Sequence, residues 1–338
     1  MQPINMAIVG ATGTVGETML TVLAERNFPI ANLYLLASQR SVDKTVSFKK
    51  QQLAVTDVAE FDFRQVNIAL FSAGSAVSKE YVPHAVACGC IVIDNTSCFR
   101  YEQDIPLIIP EVNAHRLGEY TRQNIIANPN CSTIQMLVAL KPLYDAVGIS
   151  RINVATYQSV AGTGKRAITE LLTQLTQLLN GKPVQPVVYP QQIAFNVLPH
   201  IDEFMDNGYT CEEMKMVWET QKILEDDSIL VNATTVRVPV LYGHAEAIHV
   251  ELKAPITASK ARSLLRHAPG IKVVDNPAKL NYPTPMTHAV GHDEVFVGRI
   301  RNDISHPCGL NLWVVADNTR KGAATNAIQI AELLLPDL

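Results

Sequence analysis

The 338-residue sequence carries 28 Lys and Arg against 32 Asp and Glu, a net charge of −4, with 47% hydrophobic and 18% charged residues. Such a length favours two domains over one core, and the composition is that of a globular protein. With no basic block, nucleic acid and anionic membrane are excluded as main partners, and no apolar run approaches the roughly 18 residues of a membrane span.

The opening "MQPINMAIVGATGTVG" lacks the basic and apolar stretches of a secretory signal, so none is expected. The six cysteines (88, 90, 98, 131, 211, 308) are scattered and form no C-x-x-C pair. That pattern fits a reducing cytoplasm and argues against both a disulfide framework and a metal site.

In chain order, "INMAIV" (4–9) reads as a buried strand, "GATGTVG" (10–16) as a glycine-rich turn and "ETMLTVLAER" as an amphipathic helix. Strand, turn and helix come in the order of a dinucleotide-binding unit. Gly10 would allow the tight turn, Gly13 the approach of a pyrophosphate and Gly16 close helix–strand packing. The helix N-terminus, opening at Thr14, would face the phosphates. A second strand, "NLYLLAS" (32–38), ends at "SQRS", where Ser38, Arg40 and Ser41 replace the carboxylate usual in NAD sites. A guanidinium there suits the extra phosphate of NADP. "VNIALFSAG" (66–74), "CIVIDNTS" (90–97) and "IIANP" (125–129) read as further strands of the same parallel sheet.

"ANPNCSTIQM" (127–136) follows, and Pro129 sets the start of a helix near Asn130 or Cys131. A thiol there lies among unpaired N–H groups, which favour its thiolate. Local residues leave two readings of Cys131 open, a nucleophile or a buried structural thiol. "EEMKMVWETQKIL" (212–224) reads as an amphipathic helix with Glu212 and Lys215 on one face, by default a surface ion pair. "TTVRVPV" (234–240) reads as a strand whose Arg237 alternates outward, antiparallel to the next strand. In that strand, "HAEAIHVEL", His244 and Glu246 share a face with Ile248, Val250 and Leu252. A satisfied core histidine and a functional one are both compatible with this.

With "YQSVAGTG", "QIAFNVLPHID", "EVFVGRIRND" and "GLNLWVVADNTRKGAATNAIQIAELL" added, these motifs resemble the aspartate-β-semialdehyde dehydrogenase family nearly end to end. The resemblance implies NADPH-dependent reductive dephosphorylation of aspartyl phosphate to aspartate semialdehyde, with release of inorganic phosphate, in lysine, threonine and methionine biosynthesis. It implies Cys131 as the thioester nucleophile, His244 as acid/base and Gln158 as a substrate-orienting catalytic residue. Arg237 and Glu212 would bind the substrate's α-carboxylate and amino group, and Arg100, Lys215 and Asn130 its phosphate. Thr12, Gly13, Thr14, Val15, Arg40, Ser41, Ala161, Gly162 and Asn318 would contact NADP.

The implied fold is α/β, with a Rossmann-like NADP-binding domain over 1–127 completed by a C-terminal helix at 318–338, capped by Asn318 or Thr319. Residues 128–317 would form an α+β catalytic and dimerisation domain resembling that of glyceraldehyde-3-phosphate dehydrogenase, joined in a homodimer or tetramer. Ala245 stands where serine is common in the family, a small departure. N-acetyl-γ-glutamyl-phosphate reductase and a non-catalytic paralogue of the same fold are the alternatives.

Overall fold

A computed structural model describes residues 2–42 and 44–337; Met1, Asp43 and Leu338 lie outside the described residues. The chain divides into two compact units, residues 1–130 with 323–338 and residues 131–322. The boundaries thus fall at Asn130/Cys131 and Gly322/Ala323, against sequence expectations at 127/128 and 317/318.

The first unit is built on a seven-stranded sheet. Its strands are β1 (Ile4–Val9), β2 (Ile30–Ala37), β3 (Thr45–Phe48), β4 (Gln51–Asp57), β5 (Ile68–Phe71), β6 (Ile91–Asp94) and β7 (Ile125–Ala127). The order is β3-β4-β2-β1-β5-β6-β7, parallel throughout except for β3, which pairs antiparallel with β4. The continuous apolar runs of β5 and β6 are buried at every residue, as expected of strands covered on both faces. Helices α1 (Thr14–Glu25) and α2 (Ser75–Ala87) make the crossovers β1–β2 and β5–β6, and a short α3 spans Pro110–Asn113.

The parallel strands run outward from β1 in both directions, so the order reverses between β1 and β5. Ligands of open α/β sheets bind beyond the strand ends at such a point. The two turns meet there so tightly that a Cβ on Gly10 (φ +91°) would lie 2.9 Å from the Ser72 carbonyl carbon. A Cβ on Gly16 would sit 2.3 Å from the Gly10 oxygen, so the glycine spacing is enforced by packing.

The second unit carries α4 (Cys131–Val147), β8 (Ile149–Gln158), α5 (Lys165–Leu179), α6 (Cys211–Leu224), β9 (Leu230–Arg237) and β10 (His244–Leu252). It continues through α7 (Ala258–His267), β11 (Ile271–Val273), β12 (Val295–Asn302) and β13 (Gly309–Ala316). Its sheet order is β11-β12-β13-β10-β8-β9. The expected hairpin between the strands of Arg237 and His244 does not form. Instead β8 lies between them, antiparallel to β10 and parallel to β9. A parallel pair needs a long crossover, which residues 159–229 with α5 and α6 supply. The connection after β9 passes the end of β8, where Val160 N and Ala161 N donate to Val240 O and Leu241 O.

After β13 the chain makes a wide helical turn at Arg320–Ala324 and returns as α8 (Thr325–Leu334), which packs on α1 within the first unit. The Arg26–Glu332 ion pair at 2.6 Å joins those two helices. The cap of this segment is Asp317 rather than Asn318 or Thr319. One Asp317 carboxylate oxygen accepts from Thr319 N at 2.9 Å and Arg320 N at 3.1 Å. A carboxylate at a helix N-terminus satisfies orphan donors and complements the dipole, which leaves Asn318 for another task.

Candidate active site

Cys131 is the first residue of α4, as the Asn-Pro-Asn sequence predicts. The helix is anchored by Ile134, Leu137, Val138 and Leu140, each at most 2% exposed. At about 1.5–3 kcal/mol per buried side chain, that packing fixes the position of its first turn. Cys131 itself is half-buried. Beside it stands Gly322, where an added Cβ would lie 2.8 Å from the cysteine Cβ. Sequence reading did not single out Gly322; only the fold brings it to the thiol.

Gln158 and Arg237 are register partners at the C-terminal ends of the parallel pair β8–β9, so both side chains lie on one face at the same end of the sheet. Gln158 Nε2 donates towards Ser132 Oγ at 2.9 Å, Glu212 Oε1 at 3.1 Å and Thr156 Oγ1 at 3.3 Å. Glu212 Oε2 in turn accepts from Lys215 Nζ at 3.2 Å, and Lys215 also reaches Asp202 at 2.6 Å. Glu212 and Lys215 are therefore not a surface pair: their side chains are only 7% and 17% exposed. A Thr210–Glu213 capping box fixes the first turn of α6 that carries Glu212.

Arg237 is buried rather than outward-facing. Its Nη1 donates to Ser159 O at 2.7 Å, and its buried Nε has no hydrogen-bond partner among the described residues. His244 is fully buried at the start of β10, with Ser159 N donating to its Nδ1 at 3.1 Å. Its Nε2 has no partner among the described residues. Burial, and then the nearby Arg237 charge, push the imidazole pKa down to about 3, so the resting ring is neutral. Gly162 closes this corner, since a Cβ there would come within 3.0 Å of Arg237 Nη1 and 3.4 Å of His244 Nε2. Within the second unit, Gln158 links Ser132, Glu212 and Lys215, and Ser159 links His244, Arg237 and Asn318, with Gly162 against Arg237 and His244.

In the first unit, Arg100 is buried and oriented by two backbone carbonyls, donating to Asn128 O and Asn95 O at 2.9 Å each. Asn130 is also buried, at the end of the same segment. At the glycine turn, Gly13 precedes α1 and supplies no side-chain cap, while buried Thr14 Oγ1 has no partner among the described residues. Thr12 Oγ1 lies 3.5 Å from Ser41 Oγ, next to exposed Arg40, which joins the turn to the end of β2. Orphan donors at a helix start beside a glycine cradle suit a dinucleotide pyrophosphate. Among the described residues, no group of three or more His, Cys, Asp or Glu is placed to hold a metal ion.

Comparison with known proteins agrees with this division. The semialdehyde dehydrogenase NAD-binding domain matches residues 5–120, and the semialdehyde dehydrogenase dimerisation domain matches residues 140–321. Aspartate-semialdehyde dehydrogenase of Legionella pneumophila is 72% identical over 98% of this chain and 95% of its own length. That of Aquifex aeolicus is 53% identical over 98% of each chain. A crystal structure of aspartate semialdehyde dehydrogenase II from Vibrio cholerae, described as complexed with ASA, is 61% identical. It superposes with a TM-score of 0.98 over 100% of this chain and 99% of that one. A thiol at a helix N-terminus, a buried histidine and a nucleotide fold in one chain agree with these matches, and the chain belongs to the aspartate-semialdehyde dehydrogenase family.

Proposed function

We infer that the protein catalyses the reversible, NADP-dependent conversion of aspartyl phosphate to aspartate semialdehyde and inorganic phosphate. The observation that carries this reading is the placement of Cys131 at the start of α4 beside the Ser132–Gln158–Glu212 hydrogen-bond chain. A nucleophile needs a held substrate and a proton-transfer partner, and the same unit supplies both.

Arg237, buried with an unpartnered Nε, binds the substrate α-carboxylate through its planar fork. Glu212 receives the α-amino group, its carboxylate held in place by Gln158 and Lys215. Lys215 supplies positive charge for the phosphate. Attack of Cys131 Sγ on the acyl carbon forms a C–S bond and breaks the C–O bond to phosphate, leaving a thioester. Gln158 orients the carbonyl during this step. When bound, NADPH supplies the hydride that reduces the thioester. Nε2 of His244 then exchanges a proton with the resulting thiohemiacetal, which collapses to free aldehyde and Cys131. A positioned acid/base of this kind contributes about 10²–10⁴-fold.

Gly10, Thr12, Gly13, Thr14, Val15 and Ser38 form the cofactor cradle in the first unit. Arg40 and Ser41 read the 2′-phosphate, which makes NADP the preferred nicotinamide cofactor. The protein works as a cytoplasmic homodimer through its dimerisation domain. The Glu212–Lys215 pair, with its carboxylate buried, together with Arg237 suits a free amino acid rather than an N-acetylated one. Phosphate-dependent NADP reduction with aspartate semialdehyde tests the assignment. Wild type should be active, Cys131→Ala inactive, and N-acetylglutamate semialdehyde a poor substrate. Substantial turnover surviving in Cys131→Ala would sink the thioester mechanism.

A further inference from the structure

His244 meets two different groups at one ring nitrogen. Ser159 N–H donates to Nδ1 at 3.1 Å, and Ser159 Oγ lies 3.2 Å from the same atom. Ser159 Oγ also donates to Asn318 Oδ1 at 3.1 Å. The orientation of that amide follows from chemistry. Gly243 N lies 2.9 Å from the same Asn318 atom and can only donate, so the atom is oxygen. Ser159, Asn318 and His244 are all buried, so these contacts are sheltered from competing water.

A neutral imidazole carries one proton, on Nδ1 or on Nε2. With Ser159 N–H as partner, Nδ1 is bare and the proton sits on Nε2, so Nε2 can only donate. To accept a proton at Nε2, the ring must first carry its own on Nδ1, and Nδ1–H then needs an acceptor. A backbone N–H cannot be one. Ser159 Oγ can, because its own hydrogen is directed to Asn318 Oδ1.

We propose that Ser159, backed by Asn318, is a positioning relay that lets His244 Nδ1 change from acceptor to donor, so that Nε2 serves as base as well as acid. In the base form, the Cys131 S–H bond breaks and an Nε2–H bond forms while Nδ1–H donates to Ser159 Oγ. Transfer of the Nε2 proton to the thiohemiacetal oxygen or back to sulfur restores the ring, and no further reactant is consumed. Burial and the Arg237 guanidinium, held nearby by Ser159 O, oppose the imidazolium, and the Gly243 backbone favours it only in part, so an acceptor at Nδ1 adds support that the ring otherwise lacks. The proposal rests on the acid/base role assigned to His244 above and gives Asn318 a task separate from cofactor contact.

Ser159→Ala keeps the backbone N–H and removes Oγ. Nitrogen-15 NMR of histidine-labelled protein reads which ring nitrogen of His244 carries the proton. The wild-type Nδ1 signal should show partial protonation, and Ser159→Ala should collapse to the Nε2–H form. With it, kcat should fall about 10- to 100-fold, part of the full acid/base contribution, with KM for semialdehyde and phosphate within about twofold. Asn318→Ala frees the Ser159 hydrogen to turn towards Nδ1. It should shift the tautomer signal the same way, with a smaller loss of kcat at saturating cofactor. Identical His244 signals in wild type and both variants overturn the relay, as does an unchanged kcat in Ser159→Ala. Inactivity of the wild type on aspartate semialdehyde would instead overturn the function proposed above and leave the NMR comparison intact.

Discussion

Glu246 lies two residues along β10 from His244 on the same buried face, and both are 0% exposed. Its two carboxyl oxygens have no hydrogen-bond partner among the described residues, and neither does the buried amide of Gln135, one turn along α4 from Cys131. Burial raises the Glu246 pKa well above the usual carboxylate range; Gln135, facing it without a bond of good geometry, opposes that shift only in part. The native protein therefore holds this proton at pH values where the unfolded chain has lost it. Because the folded state then binds more protons, stability falls as pH rises above about 4.5, by up to about 1.4 kcal/mol per pH unit until the buried group itself ionises. Glu246→Gln cannot ionise and escapes this loss. Chemical denaturation from pH 4.5 to 8 should show the variant gaining on wild type steadily as pH rises. Parallel curves would mean that Glu246 is ionised in the folded protein.

Among elements, the helix that begins at Cys131 meets Gly322 of the turn at Arg320–Ala324 at the cysteine Cβ. Gly322→Ala would place a Cβ 2.8 Å from the cysteine Cβ, inside any ordinary contact. Overpacking of this kind costs about 1–3 kcal/mol, and displacing a nucleophile by about 1 Å can cost 10²-fold in rate. The variant should fold, with kcat lowered at least tenfold and cofactor affinity little changed; kinetics matching wild type would show that α4 can yield there. Such a contact is not legible in the sequence, because 191 positions separate Cys131 from Gly322. What was legible is local. Apolar runs marked β1, β5 and β6, Pro129 set the start of α4, and period-two alternation put His244 and Glu246 on one face. Strand partnership was not, since alternation fixes a strand's faces but not its neighbours. The Arg237 strand consequently looked like half of a hairpin, and its arginine looked exposed. Its parallel pairing with β8 is what buries Arg237 beside Gln158.

For the whole molecule, the open face of the second sheet matters most. Helices α4, α6 and α7 pack on one side of it. The other side carries Asn153, Ala155, Tyr157, Ala247, His249 and Trp313, all exposed or half-buried in the single chain. Ala247 sits between Ala155 and Trp313 in register, and the rings of Tyr157 and Trp313 lie 5.5 Å apart. Small residues flanked by aromatic and polar side chains make a surface suited to close packing against another protein, and residues 140–321 match a dimerisation domain. If two copies meet on this face about a two-fold axis, each residue near the axis faces its own counterpart. Ala247→Arg would then bring two guanidinium groups together in a desolvated interface, a juxtaposition that costs several kcal/mol. Sedimentation velocity should show wild type at twice the 37.1 kDa chain mass and the variant at one chain mass, with unchanged circular dichroism. A variant that stays dimeric would place the interface on another surface. Because β8 and β10 carry Gln158 and His244 on the same strands, the monomer should also lose activity if the dimer is what holds that sheet in shape.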